Sequence, residues 1–318
     1  MKITVLDGHT LNPGDNPWDD LARLGELTVH DRTAPPDILP RAADADMLLT
    51  NKTPLTGGTI ARLPRLKFVS VLATGHNVVD TAAARARGIP VANVPAYGTM
   101  SVAQHALALL LELAGNVGAA HQSVRAGRWS ACPDFCYWDK STVELDGLTL
   151  GIVGFGRIGR QMARLGAALG MRIIYADRLE AGPPGTAAHR VPLEQLFAEA
   201  DAVSLHCNQT DENLRFVNAA LLGKMKPGAF LINTARGTLI NEADLAAALR
   251  AGRIAGAGLD VLETEPPPAT HPLLAAPNCI ITPHVAWSSL AGRKRLMQTT
   301  VANVRAFLAG APVNVVNK

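Results

Sequence analysis

The chain has 318 residues, 48% of them apolar, and a formal charge of only +3 from 30 basic and 27 acidic side chains. That length is long for one hydrophobic core and comfortable for two, and the apolar content excludes wholesale disorder. The balanced charge and the lack of a basic block argue against a nucleic-acid partner, and no run of about 18 apolar residues is present to span a membrane.

The first residues, MKITVLDG, read as a strand. One lysine and no long apolar run do not make a secretory leader. Further strands are predicted at residues 27–29, 47–50, 68–72 and 90–94, with helices such as 18–24 and 79–87 between them. This alternation predicts parallel sheets covered by helices. Residues 101–112, SVAQHALALLLE, form a strongly apolar helix, and Glu112 interrupts the richest run. A polar stretch bearing aromatic residues, 127–146, has no clear period. Cys132 and Cys136 lie in it. Their Cys-x-x-x-Cys spacing, with no second ligand pair nearby, is a poor zinc motif, so no metal is expected. With Cys207 and Cys279 they make four cysteines, too few for a disulfide framework and suited to free thiols in a reducing cytoplasm. The strand–helix alternation resumes at Thr149 and runs to about Pro283. Residues 289–308 read as one long amphipathic helix.

The second alternating region opens with TLGIVGFGRIGRQMARLGAALGMRIIYAD, residues 149–177. An apolar strand, 150–153, enters Gly154-Phe155-Gly156-Arg157-Ile158-Gly159. A helix follows with Ile158, Met162, Leu165 and Leu169 on one face, then a second strand, 172–176, ends in Asp177. Gly154 permits the tight turn, Gly156 the approach of backbone to a pyrophosphate, and Gly159 the close packing of helix on strand. The amides at the start of the helix, those of Arg157 and Ile158 among them, face the phosphates with the positive end of the helix dipole. Strand, glycines, helix, second strand and terminal acid occur in the order a dinucleotide site requires. Asp177 is suited to the ribose hydroxyls and repels a 2′-phosphate, which favours NAD over NADP. Arg178, next to it, offers a phosphate a partner and pulls the other way.

Three polar residues follow on separate loops. Arg236 comes after an apolar strand, 230–233, at the end where ligands bind in open α/β sheets. Glu265 sits in a proline-rich loop after the strand-like 257–260. His284 follows the strand 279–282. Each alone has an ordinary explanation: a surface cation, a solvated acid, a packed histidine. Together they suffice for carbonyl reduction. An arginine fork holds a carboxylate, a histidine gives or takes the proton, and a carboxylate bonded to that histidine fixes its tautomer and favours its charged form.

These segments give the chain a resemblance to the NAD-dependent D-isomer-specific 2-hydroxyacid dehydrogenases over nearly its whole length. It is carried by NKTPLT (51–56), VLATGHNVVD (71–80), SVAQHALALLL (101–111), the glycine motif, SLHCNQT (204–210), NTARG (233–237), GLDVLETEP (258–266) and PHVAW (283–287). It implies two α/β domains with doubly wound parallel sheets. The NAD-binding Rossmann domain (99–285) is inserted in a discontinuous, flavodoxin-like substrate domain (1–98 and 286–318), with hinges near 95–101 and 285–290. It also implies Arg236, Glu265 and His284 as the catalytic residues and Thr74-Gly75 as the backbone that binds the substrate carboxylate. Asp260 and the backbone of Thr234 and Ala235 are assigned to the nicotinamide, and the His206-Cys207 loop lies over the cofactor. The helix from Ser101 and the arm after it correspond to a homodimer interface.

FCYWDK (135–140) and HVAW with Trp287 are most similar to the glycerate dehydrogenase branch, the hydroxypyruvate and glyoxylate reductases. Trp287 then joins the substrate contacts. There are departures. Gln104 stands before His105 where many relatives carry glutamate, Asn208-Gln209 replaces a common Pro-Leu, and His76 replaces a common tyrosine. Glu265 counts against the formate dehydrogenase branch. The expected activity is hydride transfer between NAD(H) and a small 2-keto or D-2-hydroxy acid. The competing readings are another small donor such as phosphite, or an NAD-sensing interaction protein with little turnover.

Overall fold

In the computed structural model, which describes residues 1–178 and 188–318, the chain divides into two compact units. The first comprises Met1–Gly98 and Trp287–Lys318, the second Thr99–Ala286.

The first unit holds five parallel strands, β1 (Lys2–Val5), β2 (Glu26–Val29), β3 (Met47–Thr50), β4 (Phe68–Val71) and β5 (Val91–Ala92), in the order β2-β1-β3-β4-β5. This is the flavodoxin-like order that the resemblance implies. Helices on both faces leave the central strands no solvated side, so β3 and β4 are buried at every residue. Alternate residues serve opposite cores. Leu48, Val69 and Val71 pack with Ile38 and Ile60, while Met47, Leu49 and Phe68 pack with Leu296, Val301 and Val304. The last three belong to the helix Leu290–Leu308, which Ser289 caps by accepting the Gly292 amide at 3.0 Å. Phe307 near its end stacks on Phe68, with centroids 4.5 Å apart.

Strand β5 is shorter than the predicted 90–94. Beyond Ala92 the backbone bonds elsewhere: the Asn93 amide donates to Asn314 O and the Val94 amide to Ala73 O. The predicted helix 79–87 begins at Thr81, where the Asp80 carboxylate takes the Ala83 amide.

The second unit holds β6 (Thr149–Val153), β7 (Arg172–Ala176), β8 (His189–Arg190), β9 (Ala202–Leu205), β10 (Phe230–Asn233), β11 (Gly256–Leu259) and β12 (Cys279–Ile281). All are parallel, in the order β12-β11-β10-β9-β6-β7-β8. Strand order reverses at β6, which lies between β7 and β9, and a doubly wound sheet binds its ligand outside the carboxyl ends at such a point. The helix Thr99–Gly115, longer at both ends than the predicted 101–112, buries Ala106, Leu109, Leu110 and Leu113. It can lie close because β11 reads GAGL: a Cβ on Gly258 would meet Leu109 Cβ at 2.9 Å, and one on Gly256 would meet Leu113 Cδ2 at 2.9 Å. The helix breaks by 58° at Asn116 before Val117–Arg125. Among the described residues no single helix is long and apolar enough to cross a membrane.

Residues 126–148 form neither helix nor strand. They expose Phe135 and Trp138, at 88% and 72% of their surface. Local contacts organise the arm nonetheless. Trp129 Nε1 donates to Phe135 O at 3.0 Å, and the Arg128 guanidinium lies over the Tyr137 ring at 4.4 Å.

Candidate functional site

The glycine turn lies where β6 ends. Gly154 has φ +89°, and a Cβ there would come within 2.4 Å of the Cys207 amide nitrogen, so only glycine allows the loops after β6 and β9 to meet. A Cβ on Gly159 would meet Gly154 O at 2.1 Å, which holds the helix Arg157–Ala168 hard against the turn. Gly156, the residue before that helix, is exposed and faces open space. The Asp177 carboxylate accepts the Phe155 amide at 2.5 Å, joining the end of β7 to the turn. Arg178 Nη2 donates to Glu212 Oε2 at 2.9 Å and to Thr210 Oγ1 at 3.3 Å. The cation beside Asp177 therefore already has an anionic partner of its own.

Two neighbours of the turn are uncharged at neutral pH. Burial pulls His206 down to about 4, and its Nε2 is hydrogen-bonded to Ser204 Oγ at 2.8 Å. Burial also pushes the Cys207 thiol up to about 11. Beyond the end of β10, Thr234 Oγ1 is buried without a hydrogen-bond partner. An open glycine before a helix N-terminus, a carboxylate at the end of the second strand and an orphaned buried hydroxyl fit a dinucleotide.

The three loop residues come next. His284 has φ +54°, rare for a residue with a side chain. Its amide donates to both Asp260 O and Thr282 O at 2.9 Å, which holds this backbone shape. The Asp260 side chain completes the grip. Oδ1 accepts Thr282 Oγ1 at 2.6 Å and the Val285 amide at 2.9 Å, and Oδ2 accepts the Ala286 amide at 2.8 Å. Since the Thr282 hydroxyl gives its one proton to Asp260, His105 Nε2 must donate to it, at 2.9 Å.

His284 Nδ1 lies 2.6 Å from Glu265 Oε2. An ionised carboxylate only accepts, so the proton of this bond sits on Nδ1. Glu265 Oε1 accepts the Leu262 amide at 3.1 Å. The pair is partly open, with 29% and 33% of the two side chains exposed.

Arg236 follows β10 and is exposed. Its Nη1 donates to Ala235 O at 2.6 Å, and its own carbonyl accepts Asn233 Nδ2 at 2.8 Å. The next residue, Gly237, ties this loop to the glutamate loop, because a Cβ there would lie 1.9 Å from the Leu262 carbonyl carbon. The Gln209 side chain, unusual at its position, accepts Thr238 Oγ1 at 2.7 Å and links the loops after β9 and β10.

Thr74, Gly75 and Trp287 belong to the first unit. Thr74 Oγ1 donates to Val94 O at 2.8 Å, and Trp287 sits edge-on to Tyr97 with centroids 6.2 Å apart. Sequence reasoning missed Thr282, Glu242 and His271, whose side-chain bonds buttress the His284 and Glu265 loops. Thr282 meets Asp260 across 22 residues and His271 meets Glu242 across 29, separations that no local spacing signals.

Residues 107–286 match the family model described as "D-isomer specific 2-hydroxyacid dehydrogenase, NAD binding domain". The chain belongs to that family. It is 48% identical over 322 residues to a hydroxypyruvate reductase of Blautia hydrogenotrophica, covering all of both chains. It is also 40% identical to a glycerate dehydrogenase of Methylorubrum extorquens, over 89% of this chain and 88% of that one. A solved structure, the TT0316 protein of Thermus thermophilus, superposes with a TM-score of 0.88 at 37% identity, covering 99% of this chain and 100% of that one. This family member is an NAD-dependent oxidoreductase, and its second unit carries the NAD-binding domain.

Proposed function

We propose that the enzyme reduces a small 2-keto acid to the D-2-hydroxy acid, with hydroxypyruvate or glyoxylate as the preferred substrate. The observation that carries this reading is the 2.6 Å bond between His284 Nδ1 and Glu265 Oε2. Bound NADH would supply the hydride for reduction of the keto carbonyl. The residues that would hold it are Gly154, Gly156, Arg157, Ile158 and Gly159 at the pyrophosphate and Asp177 at the ribose. His206, Cys207, Thr234, Ala235 and Asp260 line the rest.

The protein's own groups handle the proton and the charges. Glu265 fixes Nδ1 as the protonated nitrogen, so in the charged imidazole Nε2 carries the second proton and gives it to the substrate oxygen as negative charge develops there. Arg236 would take the substrate carboxylate in a two-bonded fork. Thr74, Gly75 and Trp287 of the first unit are proposed substrate contacts, with the indole limiting the bulk of the side group on C2. In this reading 1–98 with 286–318 is the substrate domain and 99–285 the NAD domain. The exposed Trp129, Phe135 and Trp138 of the arm support a homodimer. The four free thiols suit the cytoplasm.

An NADH-oxidation assay across a panel of 2-keto acids tests the assignment. Hydroxypyruvate and glyoxylate are expected to exceed phenylpyruvate and 2-ketoisocaproate in kcat/KM, and NADH to exceed NADPH. A bulky keto acid as best substrate removes the role given to Trp287.

A further inference from the structure

The second unit contains another carboxylate–imidazole pair, which the mechanism above does not use. Glu242 opens the helix Glu242–Arg250, and His271 lies at the far end of the loop that carries Glu265. His271 Nε2 and Glu242 Oε2 are 2.9 Å apart, with only 8% and 12% of the two side chains exposed. The Leu273 amide donates to His271 Nδ1 at 3.4 Å, which leaves the proton on Nε2, directed at the carboxylate. The other carboxylate oxygen, Oε1, accepts the Glu263 amide at 2.8 Å. One buried carboxylate thus grips the loop on both sides of Glu265, at residues 263 and 271. Within that grip Glu265 reaches back to the Leu262 amide and forward to His284.

We propose that Glu242 and His271 are positioning residues, a buried clamp that holds the 262–271 loop so that Glu265 meets His284 at hydrogen-bonding distance. The proposal rests on His284 as the proton donor and deepens that reading. Glu242 sits in the first turn of its helix, where the dipole favours a carboxylate. The charged groups facing it are Arg215 and Glu263, which form their own ion pair at 2.5 Å. The clamp needs a carboxylate specifically. Two N–H donors converge on it, and a glutamine has one acceptor oxygen and an NH₂ group that opposes the second donor. His271 cannot relieve this by moving its proton, because Nδ1 already faces the Leu273 amide.

The test uses the full-length enzyme with its best 2-keto acid and NADH. Glu242→Gln and His271→Gln are compared with the unmodified protein for kcat, KM and pH–rate profile, with Tm measured alongside. The expected result, at temperatures where the variants are folded, is a kcat lowered about tenfold or more. KM should stay within about twofold, and the pH–rate profile for reduction should change with kcat. Lowered Tm with kcat and profile unchanged overturns the proposal, since a pair that only stabilises the fold would do that.

Histidine side-chain NMR of the unmodified protein decides the matter even if neither variant folds. His271 must be the Nε2–H tautomer with a slowly exchanging proton, and an Nδ1–H tautomer or fast exchange overturns the clamp. His284→Ala separates the two layers. Retained turnover in that variant removes the reading of His284 and the clamp with it. Lost turnover beside an unchanged Glu242→Gln profile removes the clamp alone.

Discussion

His284–Glu265 and His271–Glu242 are the same pair of functional groups in one α/β unit, at 2.6 and 2.9 Å. Their surroundings differ. The first pair leaves about a third of each side chain open, while the second is nearly closed off. In the first, Nδ1 is bonded to the carboxylate, and the proposed role gives Nε2 to the substrate. In the second, both ring nitrogens are used by the protein's own loops. A histidine whose nitrogens both serve the fold holds structure in place, whereas one that turns a nitrogen to a substrate can pass a proton on.

The largest expected effect comes from breaking the open pair. His284→Ala should lower kcat by roughly 10²–10⁴ while NADH binding, followed by fluorescence titration, stays near that of the unmodified protein. Equal losses from His284→Ala and His271→Gln would erase the distinction between the two pairs.

A third histidine sharpens the comparison, because a hydroxyl takes the place of the carboxylate. His206 is bonded to Ser204 and is pulled from 6.5 to about 4 by desolvation. The unfolded chain takes up this proton below about pH 6.5 and the folded chain only near pH 4, so the neutral ring's contribution is complete above 6.5 and is lost as pH falls toward 4. The loss amounts to at most about 3 kcal/mol. Denaturant titrations between pH 7 and 4 should show this slope, and His206→Asn should flatten it.

The smallest effect comes from loosening the open pair without removing the imidazole. Glu265→Gln replaces the acceptor that holds Nδ1–H with an amide, so the ring loses its fixed orientation and kcat should fall about tenfold with binding of NADH unaffected. Steady-state kinetics measure it. An unchanged kcat would mean that the bond at Glu265 does not orient the ring.

Much of this was legible in the residues. The strands 47–50, 150–153, 172–176 and 230–233 read from apolar runs coincide with the observed ones or miss by a single residue. Buried parallel strands are apolar throughout, which is the strongest signal a sheet writes into a sequence. Glycine spacing and Asp177 announced the turn because each glycine there answers a steric demand. Less was legible where the fold chooses the partner. The partners of the Asp260 carboxylate, Thr282, Val285 and Ala286, lie 22 to 26 residues along the chain. The partners of Glu242 lie 21 and 29 residues away, at distances along the chain that no local period reports. Strand β5 ended early because Asn93 and Val94 bond to Asn314 and Ala73, a competition invisible in residues 90–94 themselves.

Gly237 carries a consequence for anyone redesigning the enzyme. A methyl group there would sit 1.9 Å from the Leu262 carbonyl carbon. Backbone atoms, unlike a flexible side-chain tip, cannot step aside. A library randomised at residues 237 and 238 should therefore recover active clones varied at 238 and glycine alone at 237. The arginine loop and the glutamate loop must also travel as one piece in any graft, because transplanting either onto a scaffold with a different neighbour would separate stretches of backbone that touch with nothing between them.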